Sequence, residues 1–514
     1  MSQTLRWVGA TSVALPGLTM FKKVLIANRG EIAVRIIRTC REMGLETVAV
    51  HSDADRQALH VLEADQAVYL GPSEPLESYL HIGRILDAAR ETGAEAIHPG
   101  YGFLAENPVF AERCRQDGVI FIGPPAQAIR DLGNKTVART IMSRAGVPVI
   151  PGLHQTSEDL QVFSREAERL GYPVIIKAAA GGGGKGMRTV FGSNDLSEAF
   201  QSCKSEADKA FGDGSLYLEK HLEGPRHVEF QILADSFGNV VHLFERECSI
   251  QRRHQKIIEE TPSPALTPDL RRQMGQAAVA AARASGYINA GTVEFLLDRD
   301  GNFFFLEVNT RLQVEHPITE VTTGLDLVRC QLEIAAGQAL PFCQEEIKPR
   351  GHAFECRIYA EDPEAQFFPS PGKVLYLQEP SGPGIRLDSG IRAGFEVPME
   401  YDPILSKLIV YAENREAARQ RMIRALENCV ILGIDTTIPF LLEVFKSAEF
   451  REGRTRTDFI DRHFEGWKPD RGKADLARIA FAAHDRCRVR TPTGEKASAP
   501  DRLSPWQTLG EWRL

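Results

Sequence analysis

Residues 292–316 read TVEFLLDRDGNFFFLEVNTRLQVEH. Asp300-Gly301 is a strong two-residue turn signal between alternating apolar positions, so the stretch predicts a β-hairpin. Side chains alternate faces along a strand. Thr292, Glu294 and Leu296 therefore share a face, and Glu307, Asn309, Arg311 and Gln313 line up on the return strand. With Asp300-Gly301 as the turn, Arg299 pairs with Asn302 and Glu294 falls opposite Glu307. Like charges facing at roughly 5 Å destabilise a sheet. A cation between them removes the objection, and carboxylate oxygens suit Mg²⁺ or Mn²⁺. Just beyond come Arg311, Gln313 and Glu315, a guanidinium, an amide and an acid, so a metal site would abut an anion site. The plainer alternative is a hairpin whose polar face is simply wet.

The chain has 514 residues, 43% hydrophobic and 25% charged, which fits a soluble protein of two to four domains. Lys+Arg 61 against Asp+Glu 69 gives a net charge of −8, which argues against bulk nucleic-acid binding. Nine cysteines without a CxxC pair fit a reducing, cytoplasmic setting better than a disulfide framework or zinc site. No apolar run reaches the ~20 residues that span a bilayer. Residues 1–19 contain no acid and read as a flexible extension or upstream start rather than a targeting segment.

From Met20 the pattern alternates strand and helix. Phe21–Ala27 predicts a strand, Ile32, Ile36 and Cys40 the buried stripe of a helix, and ETVAV a second strand, which together make a βαβ opening. The first turn lacks GxGxxG, so a dinucleotide reading is weak. Strands at 66–70, 96–98 and 119–122 and helices at 79–92 and 108–117 continue the alternation. A second unit centres on PVIIKAAAGGGGKGMRTV, residues 173–190, and a larger one opens with the hairpin HVEFQILAD…NVVHLFER. The tail is rich in Pro, Ser and charge, reads as a linker, and ends on Trp506 and Trp512.

The run AGGGGKGM lies between apparent strands 174–178 and 187–190. Consecutive glycines let backbone N–H groups converge on an anion. It is no P-loop, because Lys185 is followed by glycine and a strand-like run. Lys177, in the apolar run VIIKAAA, is costly to bury unless it meets an anion. A mobile linker is the alternative. The combination resembles the ATP-grasp superfamily. That resemblance implies Lys135 and Lys177 on ATP phosphates, a lid loop with Gly182, Gly183 and Gly184, and Glu294, Glu307 and Asn309 on magnesium or manganese.

The match narrows further. NRGEIA (28–33), HPGYGFL (98–104), GNK (133–135), RHVEFQ (226–231), SIQRRHQK (249–256), FLEVNTRLQVEH (305–316), GHAFECRIYAEDP (351–363), FPSPGKV (368–374) and YDPILSKL (401–408) stand in the order of biotin carboxylases. The chain resembles that family from about residue 20 to 464. The resemblance implies an α/β and α+β fold in three domains: a Rossmann-like N-terminal domain (20–134), an ATP-grasp domain (135–350) with a lid at about 150–221, and a C-terminal domain with a larger mixed sheet (351–464). Residues 465–514 would be tail and linker.

It also implies the reaction, in which ATP activates bicarbonate as carboxyphosphate and CO₂ passes to N1′ of carrier-bound biotin. Glu219, Lys220, Leu222, His227, Gln251, His254 and Leu296 would bind ATP, and Lys256 would approach the γ-phosphate and bicarbonate. Bicarbonate would rest on Arg311, Gln313 and Val314. Glu315 would be the general base, and Arg357 would stabilise the biotin enolate. Tyr101 would line the biotin pocket. Each has a plainer alternative: QRRHQK as a solvated basic strip, Glu315 as a salt bridge to Arg311, Arg357 as a surface charge, and Tyr101 as a core residue. Arg38 and Glu42, spaced i, i+4, read either as an exposed ion pair of little worth or, by resemblance, as a homodimer contact.

No EAMKM-like stretch occurs, so biotin is expected on a carrier protein or domain, with a carboxyltransferase on another subunit. The parent enzyme would be an acyl-CoA carboxylase of acetyl-, propionyl- or methylcrotonyl-CoA type. Two rivals remain: another ATP-grasp ligase, of carboxylate–amine or carbamoyl-phosphate type, and a nucleotide-binding regulatory scaffold without activity.

Overall fold

The computed structural model describes residues 20–153, 155–179, 186–253, 255–468 and 480. Residues 1–19, Gly182, Gly183, Gly184, His254, Trp506 and Trp512 lie outside the described residues. Residues up to Trp467 form one compact unit, and beyond it only Lys468 and Ala480 are described.

The first layer is a parallel sheet in the order Gln66–Gly71, Glu46–Ser52, Lys23–Ile26, Ala96–His98, Ile120–Phe121. Helix Gly30–Glu42 covers it with the stripe its spacing predicts: Ile32, Ala33, Ile36, Ile37 and Cys40 are buried. The helix expected from residue 79 begins only at Ile82. The His81 side chain takes the Arg84 N–H and closes the first turn there. Tyr79 stays upstream as a buried anchor, donating to Asp55 at 2.6 Å.

The segment expected to form the lid carries an antiparallel sheet in the order Met187–Val190, Val174–Ala178, Leu216–Lys220. Helices Leu160–Leu170 and Leu196–Phe211 flank it around Phe163, Ile176, Phe200 and Leu218.

The remaining long strands form a single antiparallel sheet: Phe303–Asn309, Asn289–Leu297, Arg226–Ala234, Val240–Arg252, Gln255–Thr261, His352–Tyr359, Ile404–Ala412, Ile385–Ser389. It crosses from the ATP-grasp segment into the C-terminal segment, because Gln255–Thr261 pairs with His352–Tyr359. The strand bearing Lys256 and the strand bearing Arg357 are therefore neighbours, although the two residues lie about a hundred positions apart in the chain.

Glu260 locks this junction. It is buried and accepts from Arg415 Nε at 2.7 Å, and it lies 2.9 Å from His352 Nε2. Burial alone would raise its carboxyl, but Arg415 and His352 outweigh that and hold it at about 2 against an ordinary 4.5. A depressed folded-state pKa stabilises the fold above the unfolded value and loses that contribution as pH falls through the folded one. Glu260→Gln should therefore lower the melting temperature at pH 7, and its gap to the parent should narrow between about pH 4.5 and about pH 2. A gap that does not change with pH would assign the effect to packing instead.

Candidate active site

Glu294 and Glu307 are directly paired, as the turn chemistry predicts. They arrive there through two departures that cancel. The Asp298 N–H donates to the Asn302 carbonyl at 2.9 Å, so the turn holds Arg299, Asp300 and Gly301 rather than two residues. Leu306 then bulges out, since Phe295 pairs with Phe305 while Glu294 pairs with Glu307. The strand stops at Asn309. Arg311 and Gln313, expected on that strand, sit instead on a loop that leads into helix His316–Thr323.

Both glutamates face a cleft of about 950 Å³. Lys256 stands at its centre, its Nζ 2.7 Å from Glu294 Oε1 and 2.9 Å from Glu315 Oε1, with Glu229 as a third partner. Burial would lower this ammonium, but Glu229, Glu294 and Glu315 outweigh it and keep it charged. Glu315 is wholly buried and takes Arg357 Nη2 at 2.9 Å. Burial opposes its charge, yet Lys256, Arg357 and Arg246 hold its carboxyl well below the usual range. Arg357 Nε bonds Glu259 at 2.6 Å. Burial and the neighbouring Glu315 raise Glu259 to about 7, with Arg357 pulling the other way. The alternative pairing of Glu315 with Arg311 does not form: Arg311 Nε bonds Glu106 at 2.8 Å.

The cleft is also lined by Tyr101, Arg311, Gln313, Val314 and Arg357, the residues expected to meet bicarbonate and biotin. Gln313 accepts from Arg311 Nη1 at 3.2 Å, and its buried Nε2 has no partner among the described residues. The Tyr101 hydroxyl is likewise buried and unpartnered. Buried polar atoms are rarely left alone, and both residues line the cleft.

At the end expected to take the nucleotide, Lys135, Lys177, Lys220, Leu222, His227, Gln251 and Leu296 line the cleft. Lys177 Nζ bonds Glu219 at 2.6 Å, and Glu219 also meets the buried Arg139. Lys220 donates to the Gly171 carbonyl at 2.8 Å. Gln251 Nε2 lies 2.9 Å from His227 Nδ1, and His227 Nε2 lies 2.9 Å from Glu294 Oε2. Gln251, Arg252, Gln255 and Lys256 belong to the hairpin between Val240–Arg252 and Gln255–Thr261 rather than to a solvated strip, and Gln251 pairs with Lys256 across it.

The carboxylate pair fits a divalent cation. Glu307 is raised by burial and by Glu294, with only Lys135, 3.8 Å away, as a nearby ion-pair partner among the described residues. Asn309 Nδ2 donates to Glu294 Oε1 at 2.8 Å, and its oxygen takes Arg311 Nη2 at 3.2 Å.

Five residues of this network escaped the sequence reading: Glu106, Arg139, Glu229, Arg246 and Glu259. Glu229 had a signal, since His227, Glu229 and Gln231 alternate as polar residues in an otherwise apolar strand. Glu259 did not, because it lies three positions from Lys256. Gln251 pairs with Lys256 and Ile250 with Ile258, so Ile257 bulges out and both polar side chains reach one face.

Three family models match the chain: biotin carboxylase N-terminal domain at 20–129, the ATP-binding domain of carbamoyl-phosphate synthase L chain at 134–343, and biotin carboxylase C-terminal domain at 355–462. A pyruvate carboxylase subunit from Methanothermobacter thermautotrophicus is 54% identical over 447 residues, 87% of this chain and 91% of that one. Biotin carboxylase 2 of Bacillus subtilis is 51% identical over 86% of this chain and 100% of its own. The alpha subunit of mitochondrial methylcrotonoyl-CoA carboxylase from Dictyostelium discoideum is 49% identical over 96% of this chain, which spans 70% of it. Among solved structures, the biotin carboxylase domain dimer of Hydrogenobacter thermophilus 2-oxoglutarate carboxylase, in complex with MgADP, ADP and bicarbonate, superposes with a TM-score of 0.84 at 48% identity. That match covers 87% of this chain and 98% of that one. The expected α/β, three-domain ATP-grasp fold is borne out, except that the larger sheet is antiparallel rather than mixed and is not confined to 351–464, and the chain belongs to the biotin carboxylase family.

Proposed function

We propose that Lys256, Glu315, Arg357 and the loop 311–314 carry the carboxylation of biotin by ATP and bicarbonate in this chain. The observation that supports this best is the position of Lys256, whose ammonium touches Glu294 on the metal side and Glu315 on the bicarbonate side. One cation thus stands between the phosphoryl donor and its acceptor. When bound at Glu294 and Glu307, magnesium supplies charge neutralisation to the phosphates of ATP. Lys135 and Lys177 add positive charge from the neighbouring helix and strand, with Glu219 and the other nucleotide-end residues lining the base and ribose.

Arg311, the Gln313 amide and the Val314 backbone suit a planar oxyanion, which a guanidinium grips in bidentate fashion. Glu315 is a weak base while both Lys256 and Arg357 hold it. Turning either cation toward substrate removes part of that stabilisation and raises its basicity. Arg357, tied to Glu259 and Glu315, is aimed and charged, which suits the negative ureido oxygen of biotin beside Tyr101.

The carboxylate–amine ligase alternative would share the lysines and metal acids but has no use for Arg357 at Glu315. Biotin would arrive on a carrier protein or domain, and the carboxyl group would leave with it to a carboxyltransferase. Arg38 and Glu42 are both exposed, and no ion pair joins them among the described residues. They can meet a second copy, as the homodimer reading requires. No helix among the described residues is long and apolar enough to cross a membrane. The described cysteines are all free, and a reducing, cytoplasmic setting belongs to the same proposal.

Bicarbonate-dependent ATP hydrolysis should rise when free biotin is added. Arg357→Ala should reduce the biotin-stimulated rate about 10²-fold while sparing the biotin-independent rate. Stimulation by ammonia or an amino acid, with none by biotin, would refute the assignment.

A further inference from the structure

The loop 311–315 is held from beneath by two buried donors. Lys407 Nζ bonds the Val314 carbonyl at 2.9 Å. The His316 ring places Nδ1 2.7 Å from the Gln313 carbonyl, which also accepts the His316 N–H at 3.3 Å. Both side chains are wholly buried. Lys407 is the cross-strand partner of Arg357, so the same sheet face carries both. Its ammonium lies 3.2 Å from Glu31 and 3.9 Å from Asp388, which already supply the charge a buried lysine needs. Its shortest contact is nevertheless the neutral Val314 carbonyl.

The direction of these bonds has a geometric result. In a trans peptide the carbonyl and the N–H point opposite ways, and neither peptide here is cis. Holding the Gln313 carbonyl turns the Val314 N–H away from His316, and holding the Val314 carbonyl turns the Glu315 N–H away from Lys407. Neither N–H meets an acceptor among the described residues. Gln313 Nε2 also has no partner among the described residues, and Gln313 and Val314 line the cleft.

We propose that Lys407 and His316 are positioning residues of the anion site: by gripping the Val314 and Gln313 carbonyls from below, they aim the amide donors of the loop at a planar oxyanion in the cleft. The inference rests on reading 311–315 as the bicarbonate loop. Preorganised donors of this kind act without reorganising when the anion arrives. Losing the grip should therefore weaken bicarbonate more than ATP.

The test measures KM for bicarbonate and for ATP in bicarbonate-dependent ATP hydrolysis by the full chain. Lys407→Met combined with Glu31→Gln removes the donor without stranding a buried carboxylate beside it. His316→Leu removes the second donor, and His316→Asn keeps an amide that can reach the Gln313 carbonyl. The double variant and His316→Leu should each raise the bicarbonate KM about tenfold with the ATP KM within about twofold, and His316→Asn should recover most of the loss. Unchanged bicarbonate KM with a fallen kcat or melting temperature would assign both residues a structural role and overturn the inference. Arg311→Ala separates the two layers. If it raises the bicarbonate KM while the other variants do not, the loop reading stands and the positioning inference falls. If Arg311→Ala leaves that KM unchanged, the loop reading itself fails and takes the inference with it.

Discussion

Lys256→Met is expected to cut bicarbonate-dependent ATP hydrolysis by about 10²–10³-fold, the usual cost of removing one preorganised charge from a developing anion. The same change strips the shared cation from Glu229, Glu294 and Glu315. All three carboxylates are buried. Removing one partner of a buried charged network costs about 3–5 kcal/mol. Arg246 still holds Glu229, His227 still faces Glu294, and Arg357 still holds Glu315, so the loss should fall at the low end. Adding MgATP should restore part of the melting temperature, because a bound cation relieves Glu294 directly. A variant that folds normally and turns over ATP at the parental rate would remove Lys256 from the reaction.

Glu315→Gln is expected to lower carboxylation of biotin by about 10²–10⁴-fold, the range for deleting a positioned general base. Its effect on folding should be smaller than that of Lys256→Met, about 1–2 kcal/mol. The amide oxygen still accepts from Lys256 or Arg357, and Lys256 keeps Glu229 and Glu294. This separates a base from a mere ion-pair partner. If Glu315 only held Arg357 in place, the variant would retain most of its activity. Steady-state rates beside denaturant midpoints decide between the two.

The floor of the candidate site was legible because its residues lie within one short stretch. Glu294 and Glu307 could be paired from turn residues, although the three-residue turn and the Leu306 bulge, whose effects cancel, left no mark in the pattern. Arg311 and Gln313 were correctly grouped with the acids but wrongly kept on the strand, because period-two alternation continues past Asn309 without a break in composition. The helix ending at Thr92 begins later than its spacing predicts for a similar reason: Tyr79 continues the apolar spacing, and only the His81 cap marks the boundary. The supporting partners were out of reach for a different reason. Glu106 reaches Arg311 across 205 positions, and Lys407 reaches Val314 across 93. Such contacts are set by how the N-terminal layer and the large sheet pack around the loop 311–315, and nothing local in the sequence records that packing. Glu259 was hidden by a bulge that shifts its face.

The direct test of the central claim supplies the purified chain with MgATP, isotopically labelled bicarbonate and free biotin, and follows label into biotin. The account predicts ATP-dependent appearance of carboxybiotin at a rate matching the biotin-stimulated release of phosphate, and its loss in Glu315→Gln. Phosphate release that biotin does not stimulate, with no label in biotin, would contradict it.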